Sequence, residues 1–180
     1  MNNIVKIAGD QIDLCVYRED NEFINQCCTW INNSEYNHWV GHNQETIQIG
    51  SEREWVQSVV NSNKHAFCIV IKATGRAIGT CGIDLLNHGI TANLGIMIGE
   101  YQGEGYGTEA IKLLIKYAFE ELNVHRVELD VAEDNIRAIK CYKKCGFKQC
   151  GIKHDWYYYH GEYHDKISME ILRKDYKKEE

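Results

Sequence analysis

Ile12, Leu14 and Val16 alternate with polar neighbours, the spacing of a half-buried strand. The period then changes. From Asp20 onward, Phe23, Ile24, Cys27 and Ile31 recur at helical intervals. A second helix is predicted where Ser51 caps, Glu54 follows three residues on, and Trp55, Val56, Val59 and Val60 supply an apolar face. "AFCIVI" reads as a buried strand, "ATGR" turns it, and "AIGTCGIDLL" returns antiparallel. "NHG" turns again into "ITANLGIMIG". Further on, Ile111, Leu114, Ile115, Ala118 and Leu122 share one helix face. "HRVELDVAE" alternates, with Val127, Leu129 and Val131 on one side and Arg126, Glu128 and Asp130 on the other. Asp134 or Asn135 is placed to cap the next helix and Gly146 to end it. A last hairpin pairs "DWYYY" with "HDKISMEIL" around His160–Gly161.

The predicted order is β-α-α-β-β-β-α-β-α-β-β. Its strand–helix–strand crossover must join parallel strands, while the preceding meander is antiparallel. The expected fold is therefore α+β (α/β): one mixed, mostly antiparallel sheet of about seven strands with helices on both faces. No linker or repeat interrupts the chain. A single domain over residues 1–180 is expected, with a core from about 10 to 173 and a charged tail, "RKDYKKEE", after it.

The stretch "EYQGEGYGTEAI" sets Gly103, Gly105 and Gly107 directly before a helix. A helix N-terminus carries unpaired N–H groups and a positive dipole end, and glycine lets an anion approach them closely. The loop reads either as a turn or as a phosphate cradle. A triphosphatase loop needs Gly-Lys-Ser/Thr, and no lysine precedes Thr108. A dinucleotide fingerprint needs a third glycine where Thr108 stands, although Asp130 would serve as its acid.

Downstream lies "DNIRAIKCYKKCGF". With "QGEGYGTEAI" it resembles the paired motifs of the GNAT-type N-acetyltransferases. Gln102, Gly105 and Gly107 match the loop motif; Asn135, Arg137, Ala138, Ile139, Tyr142, Gly146 and Phe147 match the second. "GEYHDKISMEIL" is similar to the closing hairpin of the ribosomal-protein-alanine acetyltransferase-like (RimJ/RimL-like) branch. The resemblance implies acetyl-CoA as donor, CoA as product, and direct attack by a primary amine in a ternary complex. It places the pyrophosphate on Gln102, Gly103, Glu104, Gly105, Tyr106, Gly107 and Thr108. The pantetheine arm falls along the backbone of Met97, Ile98 and Gly99, where an N–H near Met97 or Ile98 would stabilise the oxyanion. Tyr142 is carried over as general acid to the CoA thiolate, and Asn135 and Ala138 as contacts to the cofactor arm. Lys144, with Arg137, would meet the adenosine phosphates.

Two departures follow. Glu104 stands where many relatives carry a cation, so it must face solvent. Asn93 stands where relatives often carry Glu, and it cannot accept a proton. The base must be sought elsewhere: Glu100 foremost, then Asp84 or Glu35. An acetyl-CoA-binding sensor that lost its base is the alternative, and intact Tyr142 argues against it. The acceptor would be a protein N-terminus, a polyamine, an amino sugar or another small amine. The aromatic run Trp156–Tyr159 and the cluster of Trp30, Tyr36, His38 and Trp39 are candidates for substrate walls, with packing the expected role of Trp30.

Composition narrows this further. A formal charge of −6 argues against a nucleic-acid partner and is compatible with a cationic one. The polar N-terminus and the absence of a long apolar run lead to the expectation of a cytoplasmic protein, monomer or homodimer, with its 8 cysteines reduced. Cys141, Cys145, Cys150 and His154 lack the spacing of common zinc sites, so no metal is expected.

Overall fold

A computed structural model describes residues 3–35, 37–40, 45–62 and 65–176. In chain order the elements are β1 (Val5–Ala8), β2 (Ile12–Val16), α1 (Asn21–Ile31), α2 (Ile49–Val60), β3 (His65–Ile71), β4 (Ala77–Leu86), β5 (Thr91–Ile98), α3 (Tyr106–Glu120), β6 (Arg126–Ala132), α4 (Ile136–Lys144), β7 (Lys148–Tyr159) and β8 (Glu162–Leu172). The strands form one mixed sheet in the order β1-β2-β3-β4-β5-β6-β8-β7. That is eight strands among the described residues, where about seven were expected. The added one, β1, has only four residues and is largely exposed, so its alternation is too short to read. No helix among the described residues is long and apolar enough to cross a membrane.

The chain divides into two compact units: residues 1–82 with 96–110, and 83–95 with 111–180. In the first, β2 pairs antiparallel with β1 and β3. Phe67–Ile71 is buried without alternation, so both faces of β3 are covered. On one face Cys15, Tyr17, Cys68 and Val70 cluster with Phe23, Ile24, Cys27 and Trp30 of α1 and Val56 and Val59 of α2. Each large side chain buried there contributes about 1.5–3 kcal/mol relative to exposure. Asp20 caps α1, its Oδ1 accepting the Phe23 N–H at 3.0 Å.

The second helix departs from expectation. It begins at Ile49 with Gln48 at the N-cap and no side-chain capping bond, so Ser51 lies inside its first turn. Trp55 is exposed and meets Tyr17 edge-on at 5.8 Å. The acid turned inward is Glu52, 8% exposed. Burial pushes its carboxyl above the ordinary glutamate value, with no charged or hydrogen-bonding neighbour among the described residues offsetting the shift. A raised folded-state pKa means the folded chain holds this proton more tightly than the unfolded chain. The resulting cost to stability is therefore absent below the ordinary value and grows as pH rises above it. Glu52→Gln is expected to melt at higher temperature than the parent at pH 7–8, with the difference shrinking toward pH 4. Thermal melts across that range check it; a pH-independent difference would contradict the burial argument.

In the second unit, β5 and β6 are parallel, joined through α3 as the crossover requires. β8 pairs antiparallel with both β6 and β7. Val127, Leu129 and Val131 are buried, as their alternation predicts. Gly146 leaves α4 at φ 97°. Strand β7 is longer than "DWYYY" because it contains two bulges, one between Lys153 and Tyr157. There Asp155 adopts φ 50°, and its N–H donates to Asp165 Oδ1 at 3.0 Å while Asp165 Oδ2 meets His154 Nδ1 at 2.8 Å. A bulge breaks the period-two pattern from which strands are read. Nor is the charged tail simply solvated. Arg173 donates to the carbonyls of Val124 at 2.9 Å and Phe119 at 2.8 Å, and Tyr176 stacks on Phe119.

Candidate active site

The parallel ladder between β5 and β6 consists of Thr91–Arg126, Ala92–Val127 and Asn93–Glu128. β5 then runs on to Ile98. Asn93 is half-buried within that ladder. Within the first unit, the end of β5 is held against β4. The Ile78 carbonyl accepts both the Gly99 N–H at 2.8 Å and the Glu100 N–H at 3.1 Å. A Cβ at Gly79 would run into the Met97 carbonyl and lie 3.1 Å from Ile98 Cα, so glycine permits this approach. Met97 packs against the core cluster, and the Ile98 carbonyl accepts Gln102 Nε2–H at 2.7 Å. The backbone groups of Gly99 and Ile98 are thus partly committed within the fold.

Trp30 closes on the same point. A Cβ at Gly99 would collide with the Trp30 indole, which lies directly on the glycine. Its Nε1–H donates to Glu100 Oε1 at 3.4 Å, and Arg76 grips Glu100 Oε2 through Nε at 2.8 Å and Nη2 at 2.7 Å. Both carboxylate oxygens of Glu100 are therefore engaged, and a role as base would require one to be released. Asp84 and Glu35 are exposed. His38 is buried and Trp39 half-buried, their rings 4.8 Å apart. Tyr36 lies outside the described residues.

The loop turns on left-handed residues: Tyr101 at φ 54°, Gly103 at 95° and Gly105 at 93°. A Cβ added at Gly103 or Gly105 would meet no atom of the described residues within 4 Å. Neither glycine is therefore required by close packing; the backbone conformation requires them, and open space lies in front. Helix α3 starts at Tyr106, and the Glu109 N–H reaches back to the Gly105 carbonyl at 3.1 Å. Glu104 is exposed. Gly107 approaches Ile98 Cγ1 at 3.4 Å, and Tyr106 and Thr108 are half-buried.

In the second unit, Asn135 caps α4, its Oδ1 accepting the Ala138 N–H at 3.1 Å. The apolar face of α4 buries Ile139 and Tyr142 and leaves Arg137 and Lys144 exposed. Tyr142 meets Phe147 edge-on at 5.8 Å. Burial, with Cys141 and Cys145 beside it, pushes the phenol well above its ordinary value of 10.0. No hydrogen bond reaches its hydroxyl from the described residues. Tyr157, the one buried member of the aromatic run, instead donates its hydroxyl to Asp134 at 3.0 Å and stacks on His164. Trp156 stands exposed with Lys153 and Lys166 over its ring. Among the described residues no three His, Cys, Asp or Glu side chains are grouped to hold a metal ion.

The family model described as acetyltransferase (GNAT) domain matches residues 16–148. The chain belongs to the GNAT acetyltransferase family. It is an acetyl-CoA-dependent N-acetyltransferase. Among similar proteins, this GNAT enzyme is 28% identical to the uncharacterized N-acetyltransferase p20 of Bacillus licheniformis, over 71% of this chain and 75% of that one. It is 34% identical to the spermidine N(1)-acetyltransferase of Escherichia coli K12, over 59% of each. Its fold superposes with a TM-score of 0.80 on the crystal structure of spermidine N-acetyltransferase from Vibrio cholerae in complex with CoA and spermine, at 23% identity, covering 92% of this chain and 97% of that one. The dinucleotide reading of the glycine loop falls with the family assignment.

Arg76, Gly79 and Glu109 were not among the expected site residues, and Trp30 was expected chiefly to pack. Gly79 and Trp30 act through approaches between elements distant in sequence, which no local pattern displays. Glu109 was visible only as an acid in a helix's first turn.

Proposed function

We propose that this enzyme acetylates a small polycationic amine of the spermidine type, as one acetyltransferase domain acting in a ternary complex. The observation that carries the cofactor reading is the open, left-handed glycine pair at the N-terminus of α3. Free space before Gly103 and Gly105, at a positive helix end, fits a pyrophosphate and leaves room for its oxygens at the backbone N–H groups. Acetyl-CoA supplies the activated acyl group as a thioester. Gln102 braces the loop through Ile98, and Gly103 through Thr108 bind the phosphates. Met97, Ile98 and Gly99 offer backbone groups to the arm, and the remaining cofactor contacts are assigned to Asn135, Ala138 and Lys144. Tyr142 holds a proton on its hydroxyl oxygen and delivers it to the departing sulfur. Its raised pKa keeps that proton in place throughout the neutral range. Glu100, once released from Arg76, is the candidate to accept a proton from the amine.

The acceptor class is supported by the named activity of the Escherichia coli relative and by the net charge of −6, which favours a cation on encounter. Release of CoA from acetyl-CoA, measured with spermidine, spermine, an amino sugar and an N-terminal alanyl peptide, tests this. Spermidine or spermine is expected to give the highest kcat/KM. A preference for the peptide would move the acceptor to protein N-termini and leave the donor reading intact.

A further inference from the structure

The turn between β1 and β2 presents three successive backbone N–H groups to one atom. Those of Asp10, Gln11 and Ile12 donate to Glu109 Oε1 at 2.7, 3.0 and 3.3 Å. Converging N–H groups of this kind form an anion-binding nest. Here the anion is a carboxylate from the first turn of α3, nearly a hundred residues away in sequence. The turn itself is braced: Gly9 N–H donates to Asp13 Oδ1 at 3.2 Å, Lys72 Nζ donates to the Gly9 carbonyl at 2.8 Å, and Ile12 is fully buried. Glu109 is thus fastened to a rigid part of the sheet.

The glycine loop needs such a fastening. Gly103 and Gly105 have no packing contact at the Cβ position, so side-chain packing does not set the direction of their N–H groups. The loop's direction is set at its two ends. At one end Gln102 ties back to the Ile98 carbonyl. At the other, Glu109 is bonded through its N–H to the Gly105 carbonyl and through its carboxylate to the β1–β2 nest.

We infer that Glu109 is a positioning residue for the phosphate cradle: it locks the first turn of α3 to the β1–β2 turn and so aims the loop's N–H groups at the pyrophosphate. The inference rests on the reading of that loop as the acetyl-CoA site. It makes Glu109 act on donor affinity and on no other kinetic constant.

The test compares Glu109→Ala and Glu109→Gln with the parent enzyme, using steady-state kinetics, calorimetric CoA binding and thermal melts. Glu109→Ala is expected to raise the KM for acetyl-CoA and the Kd for CoA roughly 10-fold, the scale of losing one charge-assisted interaction. kcat and the KM for the amine should stay within about twofold. Glu109→Gln keeps an acceptor oxygen without the charge and should fall between parent and alanine variant; it carries the test if the alanine variant does not fold. A lowered melting temperature with unchanged CoA affinity would make Glu109 merely structural and overturn the inference, as would equal losses in kcat and donor affinity. Gly105→Val separates the two levels: if it still binds CoA like the parent, the cradle reading itself fails. If it loses CoA while the Glu109 variants bind normally, only the positioning role fails.

Discussion

Gly105→Val is expected to lose CoA binding, by roughly 10²-fold or more in Kd, while retaining a cooperative fold. Among the described residues no atom lies within 4 Å of a Cβ at Gly105, so the first branch point of the new side chain meets no described neighbour. It would stand where phosphate oxygens are to lie, removing on the order of two charge-assisted hydrogen bonds, each about 1.5–3 kcal/mol. The substitution also strains the backbone, because φ 93° is unfavourable for a β-branched residue. Gly75 supplies the control. It sits in the turn between β3 and β4 at φ 69°, with only Asn3 Nδ2, at 3.9 Å, near its Cβ position. Gly75→Val carries comparable backbone strain away from the loop and should lower the melting temperature with affinity intact. Gly103→Ala is a poorer control, since φ 95° strains even alanine. Calorimetry and melts on both valine variants decide the matter. Equal affinities would reduce the glycine loop to a turn.

Tyr142→Phe is expected to bind acetyl-CoA like the parent and to turn over roughly 10²-fold more slowly, the low end of general-acid effects. Among the described residues the hydroxyl makes no hydrogen bond that its removal would break, so the ring can stay packed against Phe147. Protonating a leaving thiolate stabilises only the transition state, which spares donor affinity. The raised phenol pKa adds a second expectation: an acid protonated below its pKa yields no alkaline fall in kcat from Tyr142 before pH 10. Pre-steady-state acetyl transfer with spermidine measures the chemical step itself. An unaltered chemical rate would leave Tyr142 a packing residue.

The architecture was largely legible because its elements differ in period. β4 spans the very residues its apolar run suggested, and α4 is capped by Asn135, one of the two expected candidates, and left through Gly146. Hidden features arose where tertiary contact outweighs local pattern. β1 is short and exposed, α2 starts before its apparent serine cap, and the β7 bulge at Asp155 is bonded to an aspartate ten residues away across the hairpin. The site divides in the same way. The loop glycines and Tyr142 belong to contiguous motifs, and each motif was readable. Whether Glu100 is a usable base turns on Arg76 and Trp30, which reach it from β3–β4 and α1, and no spacing rule foretells those contacts.

The indole of Trp30 lying on the bare Cα of Gly99 also limits how this sequence can drift. A first mutation at position 99 to any larger residue meets the ring before a second mutation could relieve it, and a first mutation at 30 to a smaller residue opens a cavity in the α1 core. Each single step is selected against in a different way, the one by overlap and the other by a void. Compensating pairs lie beyond both, so the two positions are expected to change together across descendants of this chain or not at all.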